Sequence, residues 1–185
     1  MGQDVLKKNR SNLYIDGKRV FLREIQLSDV NKNYYSWMKD PEVVKYTESR
    51  FEKWSLEKIK DFVIQTKKSN DYLFFAIISK DRDKHIGNVK IGPINRIHNF
   101  ADIGMIIGDK SFWNKGFATE TLKLIVDYAF NKLKLHKLTA GIYANNISSI
   151  KAFEKAGFLI EGVRKKQYFY NDNYIDCVLV GIINK

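Results

Sequence analysis

The stretch Ser111–Glu120, SFWNKGFATE, decides the fold because it puts a short basic turn between an apolar run and an amphipathic helix. A helix that begins near Gly116 leaves its first backbone N–H groups unpaired, and the helix dipole adds partial positive charge there. Gly116 has no side chain to block close approach, and Lys115 adds a full charge. The turn is therefore predicted to bind an anion such as a pyrophosphate. A glycine between a strand and a helix also occurs simply as a turn residue, with no ligand.

The order of apolar patterns around this turn predicts one α+β (mixed α/β) domain over residues 1–185, after a polar leader of about residues 1–12. Two strands flank an Asp16-Gly17 turn, and helix-start signals follow at Ser28 or Asp29, at Asp40-Pro41 and at Ser55. The runs YLFFAII, HIGNVKIGPI and ADIGMIIGD predict a three-stranded meander. After the long helix come the strand KLTAGIY, a short helix ended by Gly157 and two closing strands.

The composition is that of a globular protein that stays in the cytoplasm. Apolar residues make up 44% of 185 residues, and only two are prolines. No apolar run reaches the roughly 18 residues that span a bilayer, and the start MGQDVLKKNRSN has no apolar segment typical of a secretory signal. The single cysteine, Cys177, lies in an apolar run and is predicted to be buried. We expect a cytoplasmic protein with no membrane partner.

The net charge of +11 indicates an anionic ligand without identifying it. Most of the charge comes from lysines scattered along the chain. A general preference for lysine in the composition would explain that pattern equally well, without any anionic ligand. The local clusters, Lys7, Lys8 and Arg10 and later Arg164–Lys166, are too short to form a nucleic-acid groove. No recognition motif accompanies them, so we expect no nucleic-acid partner.

A second motif, NNISSIKAFEKAGF, follows some thirty residues downstream, with Asn146, Ser149, Glu154, Gly157 and Phe158 in fixed spacing. Together with FWNKGFATE and ADIGMII it resembles the GNAT superfamily of acetyl-CoA-dependent N-acetyltransferases. Within it, the likeness is to the branch of the ribosomal-protein N-terminal and amino-sugar acetyltransferases. The resemblance covers Ala101–Phe158. It implies a central, mostly antiparallel sheet that is splayed in the middle, helices on both faces, acetyl-CoA as the acetyl donor and no metal.

The resemblance also implies the coenzyme contacts. Gly116 and Ala118 fill the last two marked places of the family's cofactor motif, while Trp113 stands where an Arg or Gln is usual and Asn114 replaces a Gly. Asn tolerates positive backbone φ angles better than most residues, so the turn should still form. Backbone N–H groups of the turn would hold the pyrophosphate, and the splayed strand would pair with the pantetheine arm. The full set is Met105, Ile106, Ile107, Trp113, Asn114, Lys115, Gly116, Phe117, Ala118, Thr119, Asn146, Ser149 and Phe153.

Acetyl transfer to an amine needs a neutral nucleophile, a donor to the developing oxyanion and an exit for one proton. A backbone N–H near Ile106 is the predicted oxyanion donor. Phe153 stands where many relatives keep a Tyr that protonates the leaving thiolate, so water or the Ser149 hydroxyl takes that part. Asp102 is the leading proton acceptor, with Glu48, His98 and ordered water as alternatives; each of these side chains could equally be an ordinary surface group.

The acceptor is expected to be a small primary amine, anionic if it is an amino sugar attached to a nucleotide. Relatives form the acceptor cleft from segments that here contain aromatic residues, and Glu48, Tyr46, Trp37 and Tyr168 are the predicted acceptor contacts. Tyr34, Tyr35 and Tyr170 lie in the same segments, where ordinary core packing is the competing interpretation. N-terminal acetylation of a ribosomal or other protein is the alternative activity, and a non-catalytic acyl-CoA sensor is an alternative of another class. A homodimer is also kept open.

Overall fold

The computed structural model describes residues 13–185, so the predicted leader with Lys7, Lys8 and Arg10 lies outside the described residues. Within these residues, eight strands and five α-helices follow one another in the predicted order. The strands are β1 (Tyr14–Asp16), β2 (Val20–Glu24), β3 (Leu73–Ser79), β4 (Lys84–Asn95), β5 (Phe100–Ile107), β6 (Lys137–Tyr143), β7 (Leu159–Tyr170) and β8 (Asn173–Ile183). The helices are α1 (Lys32–Lys39), α2 (Pro41–Val44), α3 (Leu56–Lys68), α4 (Phe117–Asn131) and α5 (Ile147–Lys155).

The strands form one eight-stranded sheet in the order β1-β2-β3-β4-β5-β6-β8-β7. All neighbouring strands are antiparallel except β5 and β6, which are parallel. Helices α4 and α5 pack on one face, where Leu122, Ile125 and Phe153 join the larger apolar core. Helices α1 and α3 pack on the opposite face around Trp37 and Ile59. The predicted mixed α/β class, with helices on both faces, is confirmed.

The parallel pair explains the splay in the middle of the sheet. Strands β5 and β6 pair only from Phe100–Lys137 to Asp102–Thr139. Strand β5 nevertheless continues to Ile107 and β6 continues to Tyr143. Beyond the Asp102–Thr139 pair, the facing backbone edges of the two strands separate and leave a gap through the sheet.

Two of the three predicted helix starts are confirmed. The Asp40 side chain accepts from Glu42 N with Pro41 in the first turn, and the Ser55 side chain accepts from Lys58 N. The start at Ser28 or Asp29 is wrong, because the cap of α1 is Asn31.

Asp29 has a different role from the predicted cap. Its carboxylate lies 2.6 Å from an Arg23 guanidinium nitrogen and also accepts from Gln26 N at 2.7 Å. Burial alone would raise the pKa of Asp29, but these hydrogen bonds outweigh it and lower that pKa. The Asp29 side chain, which the local sequence predicted as a helix cap, therefore forms an ion pair with Arg23 on the preceding strand instead.

Candidate active site

The turn before α4 has the backbone shape that an anion site needs. Asn114 has φ 57° and Gly116 has φ 79°, and Gly116 caps the helix without a side-chain hydrogen bond. Trp113 donates its indole N–H to Ile107 O at 2.7 Å, which fastens the turn to the end of β5. Lys115 donates to Ser111 O at 2.7 Å. The left-handed residues and the uncapped N–H groups of a 15-residue helix together form a candidate cradle for phosphate.

Arg19, which the sequence did not single out, connects this turn to the hairpin of β1 and β2. Its guanidinium donates to Glu120 at 2.7 Å and to Lys115 O at 2.8 Å, and lies 4.5 Å from the Phe117 ring centroid. Glu120 also accepts from Arg19 N at 2.6 Å. Burial would raise the pKa of Glu120, but the bonds from Arg19 and Val20 outweigh it and lower that pKa. Arg19 therefore offsets a carboxylate in the first turn of a helix predicted to bind an anion.

A cavity of about 780 Å³ runs from this turn through the splay to the segment before α3. It collects most of the predicted site residues, contributed by β5, α4, α5, β7 and the segments that precede α3, α4 and α5. Those that line it are Tyr46, Glu48, Met105, Ile106, Ile107, Trp113, Asn114, Gly116, Phe117, Ala118, Thr119, Asn146, Ser149, Phe153 and Tyr168. Its size and the unpaired strand edges that it exposes fit a pantetheine arm entering beside a phosphate cradle.

Four candidates lie outside the lining. Trp37 is only 7% exposed and packs in the core of α1 and α3, so close to Gly108 that a Cβ there would be 2.1 Å from its ring. Asp102 accepts a hydrogen bond from the Thr139 hydroxyl at the last β5–β6 pair. The side chains of Lys115 and His98 are exposed, and neither residue lines the cavity. These locations do not support Trp37 as an acceptor contact or Asp102 as the proton acceptor.

The hydrogen bonds between β5 and β4 show that the Ile106 amide, the predicted oxyanion donor, points away from the gap, and that the amides of its two neighbours point into it. Gly108 N donates to Ile86 O at 2.9 Å, and Asn88 is the Cα partner of Ile106. In an antiparallel ladder the hydrogen-bonded pairs recur every second residue, so the amide of Ile106 faces β4. The amides of Met105 and Ile107 face the gap instead. Ile106 lines the cavity through its side chain and is replaced as the donor candidate by its two neighbours.

The start of α5 forms the wall on the coenzyme side. Asn146 caps the helix, because its side-chain oxygen accepts from Ser149 N at 3.3 Å and from the Ser148 hydroxyl at 3.1 Å. Phe153 is 4% exposed and meets Phe158 edge to face at 4.9 Å. An aromatic ring without a hydroxyl therefore occupies the place where the family resemblance puts an acid.

The acceptor end of the cavity has tyrosines grouped around the Glu48 carboxylate. Tyr143 donates its hydroxyl to Glu48 at 3.0 Å and stacks on Tyr168, with ring centroids 3.9 Å apart and planes 9° from parallel. Tyr46 stacks on Tyr170 at 5.3 Å and donates its hydroxyl to Asn145 O at 3.2 Å. Sequence reasoning missed Tyr143 because it ends the apolar strand KLTAGIY, where nothing in the local pattern marks it as a site residue.

Arg50, also missed, holds the segment that carries Glu48. Its guanidinium donates to Lys45 O at 2.6 Å and to Phe169 O in β7. It also lies 4.9 Å from the Tyr143 ring centroid. These contacts tie the segment around Glu48 to the hairpin of β7 and β8. The pairing spans residues far apart in the chain, so no local pattern marks it.

The tyrosines at the acceptor end hold their protons tightly. Burial, and then the hydrogen bond to Glu48, raises the pKa of Tyr143. Burial, and then the Cys177 thiol beside its hydroxyl, raises the pKa of Tyr168. Burial, and then Tyr170, raises the pKa of Tyr46. All three are therefore neutral hydroxyl donors near pH 7.

Known proteins are similar to this chain in sequence and in architecture. A sequence profile of the family described as acetyltransferase (GNAT) domain matches residues 19–159. The probable N-acetyltransferase YjcK of Bacillus subtilis is 30% identical over 183 residues, which cover 92% of this chain and 97% of that protein. The spermidine N(1)-acetyltransferase of Escherichia coli is 32% identical over 102 residues, 55% of this chain and 54% of that protein.

Among solved structures, the spermidine N-acetyltransferase of Vibrio cholerae in complex with CoA and spermine superposes with a TM-score of 0.80. It is 24% identical, and the match covers 90% of this chain and 96% of that one. The fold and the cavity through the splay, together with the family match, show that this chain belongs to the GNAT acetyltransferases. It is an acetyl-CoA-dependent N-acetyltransferase.

Within residues 13–185, none of the helices has the length and apolar character needed to cross a membrane. The same part of the chain has no group of three or more His, Cys, Asp or Glu side chains that could hold a metal ion.

Proposed function

We propose that the protein acetylates the primary amine of a small molecule, with a nucleotide-linked amino sugar as the leading acceptor. The observation that carries this proposal is the acceptor end of the cavity, where the Glu48 carboxylate lies beside the stacked rings of Tyr143 and Tyr168. A carboxylate attracts one ammonium group, and flat aromatic faces suit a sugar ring or a base.

The donor side of the proposal rests on the turn and on Arg19. Acetyl-CoA supplies the activated acetyl group, with its pyrophosphate at the N–H groups of Asn114–Thr119 and its pantetheine arm along Met105–Ile107. Asn146 and Ser149 face the same cavity from α5. The amide N–H of Met105 or Ile107 is the candidate donor to the oxyanion, because these amides face the gap between β5 and β6.

Glu48 replaces Asp102 as the proposed proton acceptor. The amine must lose its proton before it can attack the thioester carbonyl. Glu48 lines the cavity and accepts a hydrogen bond from Tyr143, whereas Asp102 lies outside it with Thr139 as its partner. Glu48 would hold the incoming ammonium and take its proton.

The charges around the acceptor end favour an acceptor with one positive charge. The other carboxylate there, Glu42, lies 3.5 Å from the Lys45 ammonium and is partly neutralised by it. Lys45 and the net charge of +11 would attract a phosphorylated acceptor. A polyamine carries several positive charges and would find one free carboxylate at this end.

Spermidine is nevertheless the second candidate acceptor, because relatives with that named activity are 32% identical over about half of this chain. N-terminal acetylation of a protein remains the further alternative, whereas an acyl-CoA sensor without turnover is set aside because the chain is an N-acetyltransferase. Steady-state kinetics with a UDP-linked amino sugar, spermidine and an alanine-terminated peptide separate these alternatives. We expect the amino sugar to have the highest kcat/KM; a clear preference for spermidine or the peptide would reject the sugar, and no turnover of any of the three would reject all three as acceptors.

Two variants test the part of Glu48 directly. Glu48→Gln keeps the shape of the side chain but removes its charge, and we expect kcat/KM for the amine to fall about 100-fold, the lower range of general-base effects. Glu42→Gln is the matched control, since Glu42 lines the same cavity but is engaged by Lys45. Equal effects of the two variants would reject a special part for Glu48. The homodimer and the cytoplasmic location remain predictions.

A further inference from the structure

We propose that the Tyr143 hydroxyl protonates the departing thiolate of CoA and thereby does the work of the hydroxyl that Phe153 lacks. This inference rests on the proposed function, because it assigns one proton of the acetyl transfer. It is carried by the position of Tyr143 in the splay, by its hydrogen bond to Glu48 and by the guanidinium above its ring.

Strand register places Tyr143 beside the reacting centre. Asp102 and Thr139 are partners in the parallel pair, and their side chains meet on one face of the sheet. Counting four residues along both strands brings Tyr143 level with Ile106 and on that same face, because side chains alternate with a period of two. The pantetheine arm is expected along Met105–Ile107. Tyr143 therefore faces the reactive end of that arm across the gap.

The surroundings of Tyr143 suit a hydroxyl that gives up a proton and regains it. Its hydroxyl bonds to the Glu48 carboxylate at 3.0 Å, so a proton can return along an existing hydrogen bond. The Arg50 guanidinium, 4.9 Å from the ring centroid, stabilises negative charge on the ring while the proton is away. The titratable and charged groups around Tyr143 are Glu48 and Arg50 from the segment before α3, Tyr46 beside them, Tyr168 and Tyr170 from β7, and Cys177, its cross-strand partner on β8.

The proton balance closes with these two side chains. The amine nitrogen forms a bond to the acetyl carbon, and the bond from that carbon to sulfur breaks. Glu48 first takes the proton of the bound ammonium and releases it to solvent, because only the neutral amine can attack. During the attack the nitrogen loses its second proton to the Glu48 carboxylate, and the leaving sulfur takes the proton of the Tyr143 hydroxyl. Glu48 then passes its proton to the Tyr143 oxygen, which restores both side chains. The products are the acetylated amine and the free thiol of CoA, and no other reactant is consumed.

Tyr143 is a better match to this task than the Ser149 hydroxyl. Burial and the bond to Glu48 raise the pKa of Tyr143, but the ordinary pKa of a phenol, about 10, is, of the two hydroxyl types, the nearer to the value of about 8.5 of a thiol. An aliphatic hydroxyl such as that of Ser149 is a far weaker acid. Ser149 also lies on α5, which packs on the opposite face of the sheet from Tyr143 and Glu48.

The test removes the hydroxyl and then supplies another one. We expect Tyr143→Phe to lower kcat about 100-fold, a size typical of general-acid catalysis, with little change in the KM for acetyl-CoA. Phe153→Tyr alone should remain active, and in the Tyr143→Phe background it should restore kcat at least about tenfold, or 1.4 kcal/mol. The matched control is Tyr128→Phe, because Tyr128 lies on α4 against Phe75, away from the cavity.

A second measurement needs no turnover. In protein with ¹³C-labelled tyrosine rings, the Tyr143 signal, assigned by its loss in Tyr143→Phe, should titrate at lower pH in Glu48→Gln. The reason is that Glu48 helps to raise the pKa of Tyr143. An unshifted titration would break the proposed link between the two side chains.

The kinetic outcomes separate the two levels of the proposal. An active parent enzyme whose kcat is unchanged in Tyr143→Phe would overturn the part given to Tyr143 and leave the acetyltransferase intact. A loss seen only in KM, or a double variant no faster than Tyr143→Phe, would also overturn it. A parent protein that acetylates no amine would reject the proposed function itself.

Discussion

Replacement of Gly116 by valine gives the sharpest test of the phosphate cradle. Gly116 has φ 79°, and a Cβ at this position would lie 3.3 Å from an Arg19 guanidinium nitrogen. The conformational free energy of an L-residue is about 1–2 kcal/mol higher in this left-handed region, and that of a β-branched residue is higher still. The turn can relieve that strain only by rotating, which would point the first N–H groups of α4 away from the pyrophosphate.

The size of the effect follows from those N–H groups. A hydrogen bond to a charged group contributes about 1.5–3 kcal/mol. The loss of one such bond should therefore weaken CoA binding about 10- to 100-fold, since each 1.4 kcal/mol is a factor of ten. Isothermal titration calorimetry with CoA measures the change directly, and thermal unfolding of each variant establishes that the fold survives.

The matched control is Gly162→Val in β7. A Cβ at Gly162 would have no atom within 4 Å, and Gly162 is not among the glycines with positive φ. We expect this variant to bind CoA like the parent protein. If a folded Gly116→Val also bound CoA with the affinity of the parent, the cradle at the start of α4 would be refuted.

Two further variants test contacts that hold the fold around the site. Arg19→Ala removes the bond to Lys115 O and leaves the Glu120 carboxylate with backbone donors but without its guanidinium partner, so kinetics should show a KM for acetyl-CoA raised about fivefold, which corresponds to roughly 1 kcal/mol. An unchanged KM would show that the turn holds its shape without Arg19. Asp29→Asn breaks the pair with Arg23 and should lower the free energy of unfolding by about 3 kcal/mol at pH 7 in urea titrations. Because the folded-state pKa of Asp29 is lowered, the parent should lose this advantage as the pH falls below about 4; a pH-independent difference would contradict that account.

Local sequence patterns were enough to predict the helices and strands themselves. Asp40-Pro41 and Ser55 start helices because a side-chain acceptor beside free N–H groups acts within one turn. Asn114 takes a positive φ, as its tolerance for that region predicts. Local rules failed at Asp29, because its partner Arg23 lies on the preceding strand.

The acceptor end could not be read from the sequence for a related reason. Tyr143 ends the apolar strand KLTAGIY, and its access to the cavity depends on β5 and β6 parting after three paired residues. Trp37 showed the opposite error, since an aromatic residue in a suitable segment became part of the core of α1 and α3. Whether an aromatic ring lines a cavity or fills a core is fixed by strand separation and helix packing, which no local pattern contains.

The short junction between β5 and β6 has a mechanical consequence. Three residue pairs, from Phe100–Lys137 to Asp102–Thr139, are the whole strand pairing between a five-stranded half of the sheet and a three-stranded half. A molecule bonded to both edges of the gap would act as a crosspiece between the halves, so saturation with CoA should slow amide exchange along β5 and β6 together. At a coenzyme concentration of 100 times Kd, the gain in stability would be about 2.7 kcal/mol. The donor substrate would then serve as a temporary ninth strand, present while the enzyme is loaded and withdrawn with each turnover.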